Sequence, residues 1–291
     1  MKFISKYNYN ADYFNEINSE GKAYWLGFLY ADGCINQVYR NEKLKSMNLE
    51  LCLSDKDCNH IMAFLNDIES NVPIKNKLVK INAKEFLSKR IHICSTEMCR
   101  DLIDKGCMPK KSLILNFPND DILPNELKRH FIRGYFDGDG CIFFKQYNKF
   151  NKLRIIMVGT IDMLDGILKT FYDSGIKNIN RYLSEKGKAF QLEIAGYDNL
   201  IKIYNYFYHD THIYLDRKFY LYRSAIEYIK ETRISQSGKA GVYLDKRTNK
   251  WVASITQDGR KKQLGSFSEL SDAIIVREEA EIQKRINKIV V

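Results

Sequence analysis

The sequence predicts an α+β protein made of two similar αββαββα halves and a smaller tail of three strands and one helix. An apolar stretch with an Asp-Gly pair near its end occurs twice, at 24–35 and at 130–142, and each copy precedes the same order of strand-like and helix-like segments. In the tail this order gives way to short strand-like runs around a hairpin-forming Asp-Gly pair. The predicted boundaries are 1–123 and 124–232 for the halves, 233–240 for a linker and 241–291 for the tail.

The first half is predicted to begin with a helix over the repeated stretch, with Ser19 as its N-cap. A hairpin follows, because 34–39 and 47–53 are strand-like runs on either side of a charged turn. Every other residue from Met47 to Leu53 is apolar, which is typical of a half-buried strand. The later predicted elements of this half are a helix at 57–68, strands at 74–81 and 88–95, and a helix at 97–105.

The second half repeats this order, with Asp139 aligned on Asp32 and Asp162 aligned on Asp57. A connector at 118–124, bounded by two prolines, precedes its first helix. The two halves are therefore expected to be pseudo-symmetric and to form a curved, saddle-shaped antiparallel sheet. The later predicted elements are strands at 141–147 and 153–159, a helix at 162–174, strands at 177–183 and 188–195, and a helix at 198–208.

The composition points to a polyanionic partner. The 291 residues have a formal net charge of +10, and 13% of them are aromatic. A chain of this length can form two domains, each with its own core. A basic, tyrosine-rich protein is typical of those that bind a polyanion, and composition alone does not distinguish DNA from RNA or an anionic membrane.

Cysteine usage and hydropathy indicate a reducing compartment and no membrane segment. The seven cysteines include no Cys-x-x-Cys pair, so we expect free thiols. Cys94, Cys99 and Cys107 with His92 do not have the spacing of a familiar zinc site, and we interpret these cysteines as small buried residues. No apolar run approaches the length of a membrane span, and the N-terminus lacks the apolar core of a signal peptide.

Small residues lie four apart in each copy of the repeated stretch, as Gly27 and Ala31 and as Gly134 and Gly138. Residues at this spacing share one face of a helix, and a face of small residues lets two helix backbones approach closely. We therefore expect the two helices to pack side by side. The glycine after each helix, at 33 and at 140, is expected to be left-handed, as glycines that end helices often are.

Packing of these two helices would bring Asp32 and Asp139 together at their C-terminal ends. Two neighbouring carboxylates repel each other unless a cation or a shared proton lies between them. The alternative of two unrelated surface acids is disfavoured, because both copies have matched flanking residues. The pattern therefore predicts a site where two carboxylates meet.

Both copies resemble the LAGLIDADG motif of homing endonucleases, in the monomeric form that contains two motifs. The match is close over 134–140 and looser in the first copy, where Trp25 and Tyr30 stand in place of the usual Leu and Asp. The resemblance implies that the eighth-position acids, Asp32 and Asp139, bind the catalytic metal. The change at Tyr30 leaves both acids in place, and its expected effect is on helix packing.

A basic residue follows each acid at the same distance, since Lys111 lies 79 residues after Asp32 and Lys218 lies 79 residues after Asp139. The resemblance implies a basic residue near each acid, and these two are the best candidates, with Lys110 as an alternative to Lys111. They would stabilise developing negative charge or position the attacking water. The simpler alternative is that both are ordinary surface lysines.

Phosphodiester hydrolysis requires neutralised phosphoryl oxygens, an activated water and a stabilised leaving oxygen, and carboxylates that hold divalent ions can provide all three. Mg²⁺, or Mn²⁺ in its place, is the expected cofactor, because Mg²⁺ prefers oxygen ligands and keeps several waters. Asp32 and Asp139 are the predicted ligands, with the carbonyls of Ala31 and Gly138 as further candidates.

Polar side chains along the predicted strands are expected to face double-stranded DNA, because Asn, Gln, Arg and Lys can contact both base edges and phosphates. These positions differ strongly between the two halves, which predicts an asymmetric target and a monomeric protein. The candidate contacts are Asn36, Gln37, Tyr39, Arg40, Lys43, Lys45, Asn48, Lys75 and Lys77 in the first half, and Lys145, Gln146, Tyr147, Lys149, Lys152, Arg154, Asn178 and Arg181 in the second.

The tail resembles the DNA-binding domain of plant ethylene-response factors, which also occurs in phage and mobile-element endonucleases. The resemblance rests on Gly-Val-Tyr at 241–243, Trp-x-Ala-x-Ile at 251–255, Leu-Gly-x-Phe at 264–267 and a predicted helix at 268–286. It implies a three-stranded sheet that enters the major groove, while the alternative for Trp251 is a core aromatic. The matching polar candidates are Lys246, Arg247, Lys250, Trp251, Arg260, Lys261 and Lys262.

Together the resemblances imply a site-specific double-strand DNA endonuclease that cuts across the minor groove and leaves short 3′ overhangs. A mobile intron or a phage gene is the expected home, in a bacterial or phage-infected cytoplasm or in a eukaryotic organelle. An intein is not expected, because flanking splicing blocks and a terminal His-Asn are lacking. The alternative is a catalytically silent binder on the same scaffold, either a maturase that binds intron RNA or a transcriptional regulator.

Overall fold

The computed structural model describes residues 6–147, 150–177, 179–183, 190–233, 237–257 and 260–289. The chain divides into two compact units, Met1–Arg223 and Ser224–Val291. The fold is α+β with antiparallel sheets, as predicted, and each unit has its own sheet structure.

The first repeat has the predicted αββαββα order, and its four strands form one antiparallel sheet in the order β1-β2-β4-β3. Its elements are α1 (Glu20–Asp32), β1 (Gly33–Arg40), β2 (Lys43–Ser54), α2 (Cys58–Asp67), β3 (Lys75–Ile81), β4 (Lys84–Ile93) and α3 (Thr96–Asp104).

The second repeat has the same order of elements and the same strand order, β5-β6-β8-β7, so the prediction of pseudo-symmetric halves is confirmed. Its elements are α4 (Lys128–Asp139), β5 (Gly140–Tyr147), β6 (Phe150–Gly159), α5 (Ile161–Asp173), β7 (Asn180–Leu183), β8 (Phe190–Ile194) and α6 (Tyr197–Tyr208).

Alternation along the central strands gives each sheet one face buried against helices and one polar face. In β2, Leu49 and Leu51 are fully buried, as the period-two pattern predicts. Asn48 and Glu50 are the neighbours of Leu49 in the strand and therefore point to the opposite side. We call these two sides the helix face and the polar face of the sheet.

The two motif helices, α1 and α4, pack against each other through their glycines. A Cβ atom on Gly27 would overlap the carbonyl oxygen of Phe131, and one on Gly134 would overlap the carbonyl oxygen of Tyr24. Each contact joins a residue of one helix to the backbone of the other. The predicted close approach of these helices is confirmed.

The predicted left-handed glycines after these helices are wrong. Gly33 and Gly140 are extended, with φ of −71° and −79°, and each begins the next strand directly. Space requires glycine here, because a Cβ on Gly33 would lie 2.7 Å from the carbonyl oxygen of Leu29, and one on Gly140 would overlap the ring of Phe136. The acid before each glycine is thus placed at an abrupt change from helix to strand.

An 18-residue helix that the sequence analysis did not predict, α7 (Asp216–Arg233), follows the second repeat. Its Tyr222 is fully buried and donates a hydrogen bond to the carbonyl of Leu200 in α6, at 2.5 Å. The boundary between the two compact units falls within this helix. Its first turn delivers Lys218, which therefore lies at the start of a helix.

The second unit has the predicted three-stranded sheet and helix, with strand order β11-β10-β9. Val242, Ala253 and Ala273 form its buried core, and Trp251 packs against this core while partly buried. The predicted turn at 258–259 lies outside the described residues. The elements are β9 (Val242–Asp245), β10 (Lys250–Gln257), β11 (Arg260–Phe267) and α8 (Leu270–Ile289).

Among the described residues, no helix has both the length and the apolar character needed to cross a membrane.

Candidate active site

The two predicted acids meet where α1 and α4 end. The helices are held together up to their last turns, where Gly138 faces Ala31, and the position of a Cβ on Gly138 would be 3.4 Å from Oδ2 of Asp32. Asp32 and Asp139 are the final residues of their helices, and both retain solvent exposure. The structure thus brings together the two acids that the repeated motif singles out, and their role as metal ligands stays a prediction.

Both carboxyl groups are held in an environment that disfavours their charge. Loss of hydration among the surrounding protein atoms is the main cause that raises the pKa of Asp32 to about 6, and repulsion by Asp139 adds to it. The same loss of hydration raises the pKa of Asp139, while Lys111 and Lys218 act in the opposite direction. A cation at this centre would relieve the repulsion.

The two candidate lysines reach this centre from opposite repeats. The ammonium group of Lys111 donates to the carbonyl of Gly33, directly after the first acid. The ammonium group of Lys218 donates to the carbonyls of Phe136 and Gly138, at 2.7 and 3.2 Å. Of the two candidates in the first repeat, the geometry favours Lys111 as the basic residue near the acids. Its neighbour Lys110 is exposed and has a positive φ of 55°.

The two lysines differ in their surroundings. Lys218 is only 4% exposed, and its burial lowers its pKa to about 8, against the attraction of Asp137. Lys111 is half-buried in the loop that follows α3. The site is therefore pseudo-symmetric in its groups and asymmetric in how deeply they are buried.

The residues present fit a hard divalent cation. Two carboxylates with raised pKa values, close together and still exposed, are oxygen donors of the kind that Mg²⁺ prefers. The carbonyl of Gly138, a further candidate ligand, accepts a hydrogen bond from Lys218 and keeps its second lone pair. Asp32 and Asp139 would hold the ion, with each lysine beside the ligand set.

We expect Mg²⁺ to stabilise the protein against heat only when both acids are present. At saturating Mg²⁺ the melting temperature should rise by about 2 °C, since an ion that binds only the folded state adds stability by mass action. Differential scanning fluorimetry at constant ionic strength measures this shift. Asp32→Asn and Asp139→Asn should each abolish it, and an equal shift in all three proteins would place the ion elsewhere.

A buried polar network that sequence reasoning missed lies behind the site. Arg133, fully buried in α4, donates to Glu20 at 2.8 Å and to the carbonyls of Phe207 and Ile213, both at 2.9 Å. Its guanidinium also lies over the ring of Tyr24. The signal in the sequence was an arginine directly before Gly134, on the motif stretch that is expected to pack against the other helix. The network joins both motif helices to the loop that leads to α7.

The same network contains a neutral, buried histidine. Tyr24 donates its hydroxyl hydrogen to Asp137 at 2.7 Å, so the Nε2 hydrogen of His60, 3.0 Å from the Tyr24 oxygen, must be the donor in that pair. Burial is the main cause that lowers the pKa of His60 to about 3, and Arg217 adds to it. Trp25 packs against its ring at 4.8 Å.

We expect His60 to make the protein sensitive to acid. Its pKa is near 6.5 when unfolded and about 3 when folded, so between these values the unfolded chain binds a proton that the folded protein does not. Stability therefore falls as pH decreases below 6.5, by about 1.4 kcal/mol per pH unit from this group. His60→Gln keeps a donor to Tyr24 without titrating, so from pH 7 to pH 5 it should lose about 2 kcal/mol less than the native protein in urea unfolding. Equal losses in the two proteins would contradict this role.

Strand pairing divides the predicted DNA-contacting residues of the first sheet between its two faces. Asn36 pairs with Asn48 on the polar face and donates to its side chain at 3.2 Å. Lys77 lies on the same face, where it forms an ion pair with Glu50 at 3.1 Å. Gln37 instead pairs with buried Met47, which places it on the helix face.

The second sheet divides its candidates in the same way. Lys145 pairs with Lys152 on the polar face, and Arg154 on that face donates to Glu193 at 2.7 Å. Arg181 pairs with buried Leu192 on the helix face and bonds to Asp165 of α5. Other candidates occupy exposed strand or hairpin positions; these are Tyr39, Arg40, Lys43, Lys45 and Lys75. Gln146 pairs with Asn151 on the helix face, and Tyr39 donates to Gln37, also on the helix face, at 3.3 Å.

The structure also places the candidates of the second unit. Trp251 packs against the core and matches the core alternative, while the basic candidates are exposed. Lys149 and Asn178 lie outside the described residues, and Tyr147 is described only in its backbone. The exposed basic candidates are Lys246, Arg247, Lys250, Arg260, Lys261 and Lys262.

Comparison with solved structures assigns the fold. The meganuclease I-SmaMI, solved bound to uncleaveable DNA, aligns with a TM-score of 0.52 and 12% identity over 73% of this chain and 92% of that chain. The homing endonuclease I-WcaI, solved on its DNA recognition sequence, aligns with a TM-score of 0.51 and 14% identity over 72% of this chain and 90% of that chain. The chain thus has the LAGLIDADG meganuclease fold.

The sequence of this chain has little similarity to sequences of known function. No protein-family model matches the chain. A probable translation initiation factor IF-2 from Methanocaldococcus jannaschii is 28% identical over 189 residues, which are 61% of this chain and 14% of that protein. Because the match spans so small a part of the archaeal protein, the function in its name is not transferred to this chain.

Proposed function

We propose that the protein is a site-specific double-strand DNA endonuclease that uses Mg²⁺, or Mn²⁺, at Asp32 and Asp139. The observation that supports this most strongly is the meeting of two carboxylates and two lysines where the motif helices end. The fold that it shares with homing endonucleases solved on DNA supports the same proposal.

In this proposal the residues at the helix ends divide the work of phosphodiester hydrolysis. A bound ion would supply Lewis-acid neutralisation of the phosphoryl oxygens and a more acidic water. Asp32 and Asp139 would hold this ion. Lys111 and Lys218 place positive charge beside the developing negative charge, and their hydrogen bonds to the ends of α1 and α4 hold that charge in place.

Binding of DNA is assigned to the polar faces of the two sheets and to the basic surface of the second unit. Exposed side chains on the polar faces, such as Asn36, Lys145 and Lys152, can contact both phosphates and base edges. The two sheets present different side chains, so the target is asymmetric and the enzyme a monomer. We further propose cutting across the minor groove with short 3′ overhangs, and a mobile intron or a phage as the genetic home.

The test of this function is end-sequencing of genomic DNA after incubation with the purified protein, once with Mg²⁺ and once with EDTA. The proposal expects metal-dependent breaks at one or a few loci, with short 3′ overhangs. Tight binding of DNA or RNA with no breaks would instead favour a silent binder on the same scaffold.

We expect the basic surface of the second unit to contribute to affinity by charge. Changing Arg260, Lys261 and Lys262 together to Gln should make log affinity fall less steeply with log salt. The magnitude of the slope should decrease by about 2 to 3, because each lost phosphate contact removes about 0.9 from it. Fluorescence anisotropy with a labelled duplex at several salt concentrations measures the slope.

The matched control changes three lysines of the helices in the first unit, Lys128, Lys169 and Lys202, to Gln. It removes the same charge and should leave the slope nearly unchanged. If both triple variants lowered the slope equally, the effect would come from net charge, and the second unit would have no assigned contact with DNA.

A further inference from the structure

The sixth position of the motif is Tyr30 in α1 and Asp137 in α4, two residues of different chemistry. Both side chains are buried, at 1% and 0% exposure, and neither is one of the acids at the helix ends. Each nevertheless forms a hydrogen bond with a distant part of the chain. Those two parts lead directly to the two lysines of the site.

In the first repeat, Tyr30 donates to the carbonyl of Lys105 at 2.5 Å. Lys105 is the C-cap residue directly after α3, and the chain from there to Lys111 contacts the C-terminal end of α1. Gly106 has a φ of +93°, and a Cβ on it would overlap the Tyr30 hydroxyl, so glycine admits that hydroxyl. Cys107 then approaches the Leu29 carbonyl at 3.6 Å. The Tyr30 hydrogen bond is thus the first of several contacts that dock this segment.

In the second repeat, Asp137 accepts a hydrogen bond from the backbone amide of Leu215 at 2.9 Å. The carbonyl of Leu215 in turn accepts from the amides of Lys218 and Phe219, at 2.9 and 3.0 Å, so Leu215 is the N-cap residue directly before α7. Asp137 therefore fixes the start of the helix whose first turn contains Lys218. Its charge also attracts the ammonium group of Lys218.

Tyr30 meets the C-terminal end of one helix and Asp137 meets the N-terminal end of another, so one side chain donates a hydrogen bond and the other accepts one. The carbonyls at a helix C-terminus lack partners and need a donor, whereas the amides at a helix N-terminus need an acceptor. Tyr30 supplies a phenol hydroxyl to the end of α3, and Asp137 supplies a carboxylate to the start of α7. The tyrosine that replaces the usual Asp of the motif thus supplies the donor that the end of α3 needs, just before the segment that leads to Lys111.

We propose that Tyr30 and Asp137 are positioning residues, each of which holds the lysine of its own repeat at the paired acids. The consequence for catalysis rests on the proposed nuclease function. The placement of the lysines does not, and it can be measured in the full-length protein without DNA.

The test is competitive acetylation of lysines, followed by mass spectrometry, on the native protein and on folded variants. Tyr30→Phe removes one hydroxyl and changes no charge, so Lys111 should be acetylated about fivefold faster while Lys218 changes by less than about twofold. Asp137→Ala should instead make Lys218 the lysine that is acetylated faster and leave Lys111 nearly unchanged. The matched control is Tyr135→Phe, which removes a hydroxyl that donates to the carbonyl of Val158 at 2.7 Å, far in sequence from both lysines.

If Asp137→Ala does not fold, Tyr30→Phe with its control still decides the question. An unchanged Lys111 in Tyr30→Phe would overturn the proposal, and so would an equal rise at both lysines, since that indicates general loosening. In single-turnover cleavage of the target, Tyr30→Phe should be about tenfold slower with an unchanged Kd for DNA. A native protein that cuts no DNA but shows the selective acetylation would leave the positioning role standing and reject the nuclease.

Discussion

Asp32→Asn and Asp139→Asn are each expected to abolish double-strand cleavage while leaving DNA binding intact. Each change removes one of the two carboxylates that meet at the ends of α1 and α4, and with it one ligand of the proposed ion. The rate should fall by a thousandfold or more, which corresponds to about 4 kcal/mol of transition-state stabilisation. Single-turnover cleavage of the mapped target in Mg²⁺ gives the rate, and anisotropy in Ca²⁺ gives the affinity.

Binding should be unchanged or slightly tighter in both variants, because each removes a negative charge beside the phosphates. Asp173→Asn, which neutralises an exposed acid at the end of α5, is the matched control and should cut normally. If the two site variants cut at the native rate, the paired acids are not the active site. If they bind poorly as well, the loss of cutting reflects damage to the fold.

Most of the architecture followed from the sequence because its signals are local and repeated. The period-two burial from Met47 to Leu53 and the four-residue spacing of small residues in α1 and α4 both depend on backbone geometry alone. The position of the paired acids followed from the same repeat. Equal spacing also singled out Lys111 and Lys218, and both reach the site.

The features that were missed depend on tertiary contacts. Helix α7 has a highly charged sequence, and its buried Tyr222 is satisfied by α6 rather than by any neighbour in sequence. The extended Gly33 is explained by its closeness to the Leu29 carbonyl, which composition does not reveal. Gln37 and Arg181 were chosen by polarity, although strand alternation already assigned them to the helix face.

Gly134→Ala is expected to destabilise the first unit severely. An exposed Gly→Ala change within a helix usually stabilises by up to about 1 kcal/mol, because alanine favours the helix. Here the new methyl group would overlap the carbonyl oxygen of Tyr24 and lie 2.9 Å from the amide nitrogen of Phe28, and both atoms belong to the backbone of α1. Neither can move alone, so the helices must separate along their whole contact. We expect a loss of about 3 kcal/mol or more, as for severe overpacking of a core.

Urea unfolding measures this loss, and Gly21→Ala in α1 provides the matched control. A Cβ on Gly21 would lie 3.1 Å from the hydroxyl of Tyr13 and 3.3 Å from the carboxylate of Asp67, which are ends of side chains that can shift. The control should change stability by less than about 1 kcal/mol in either direction. Because the acids are the last residues of the two helices, Gly134→Ala should also abolish the Mg²⁺ stabilisation in any folded fraction. A stable Gly134→Ala protein that still binds Mg²⁺ would mean that the acids meet without close contact between the helices.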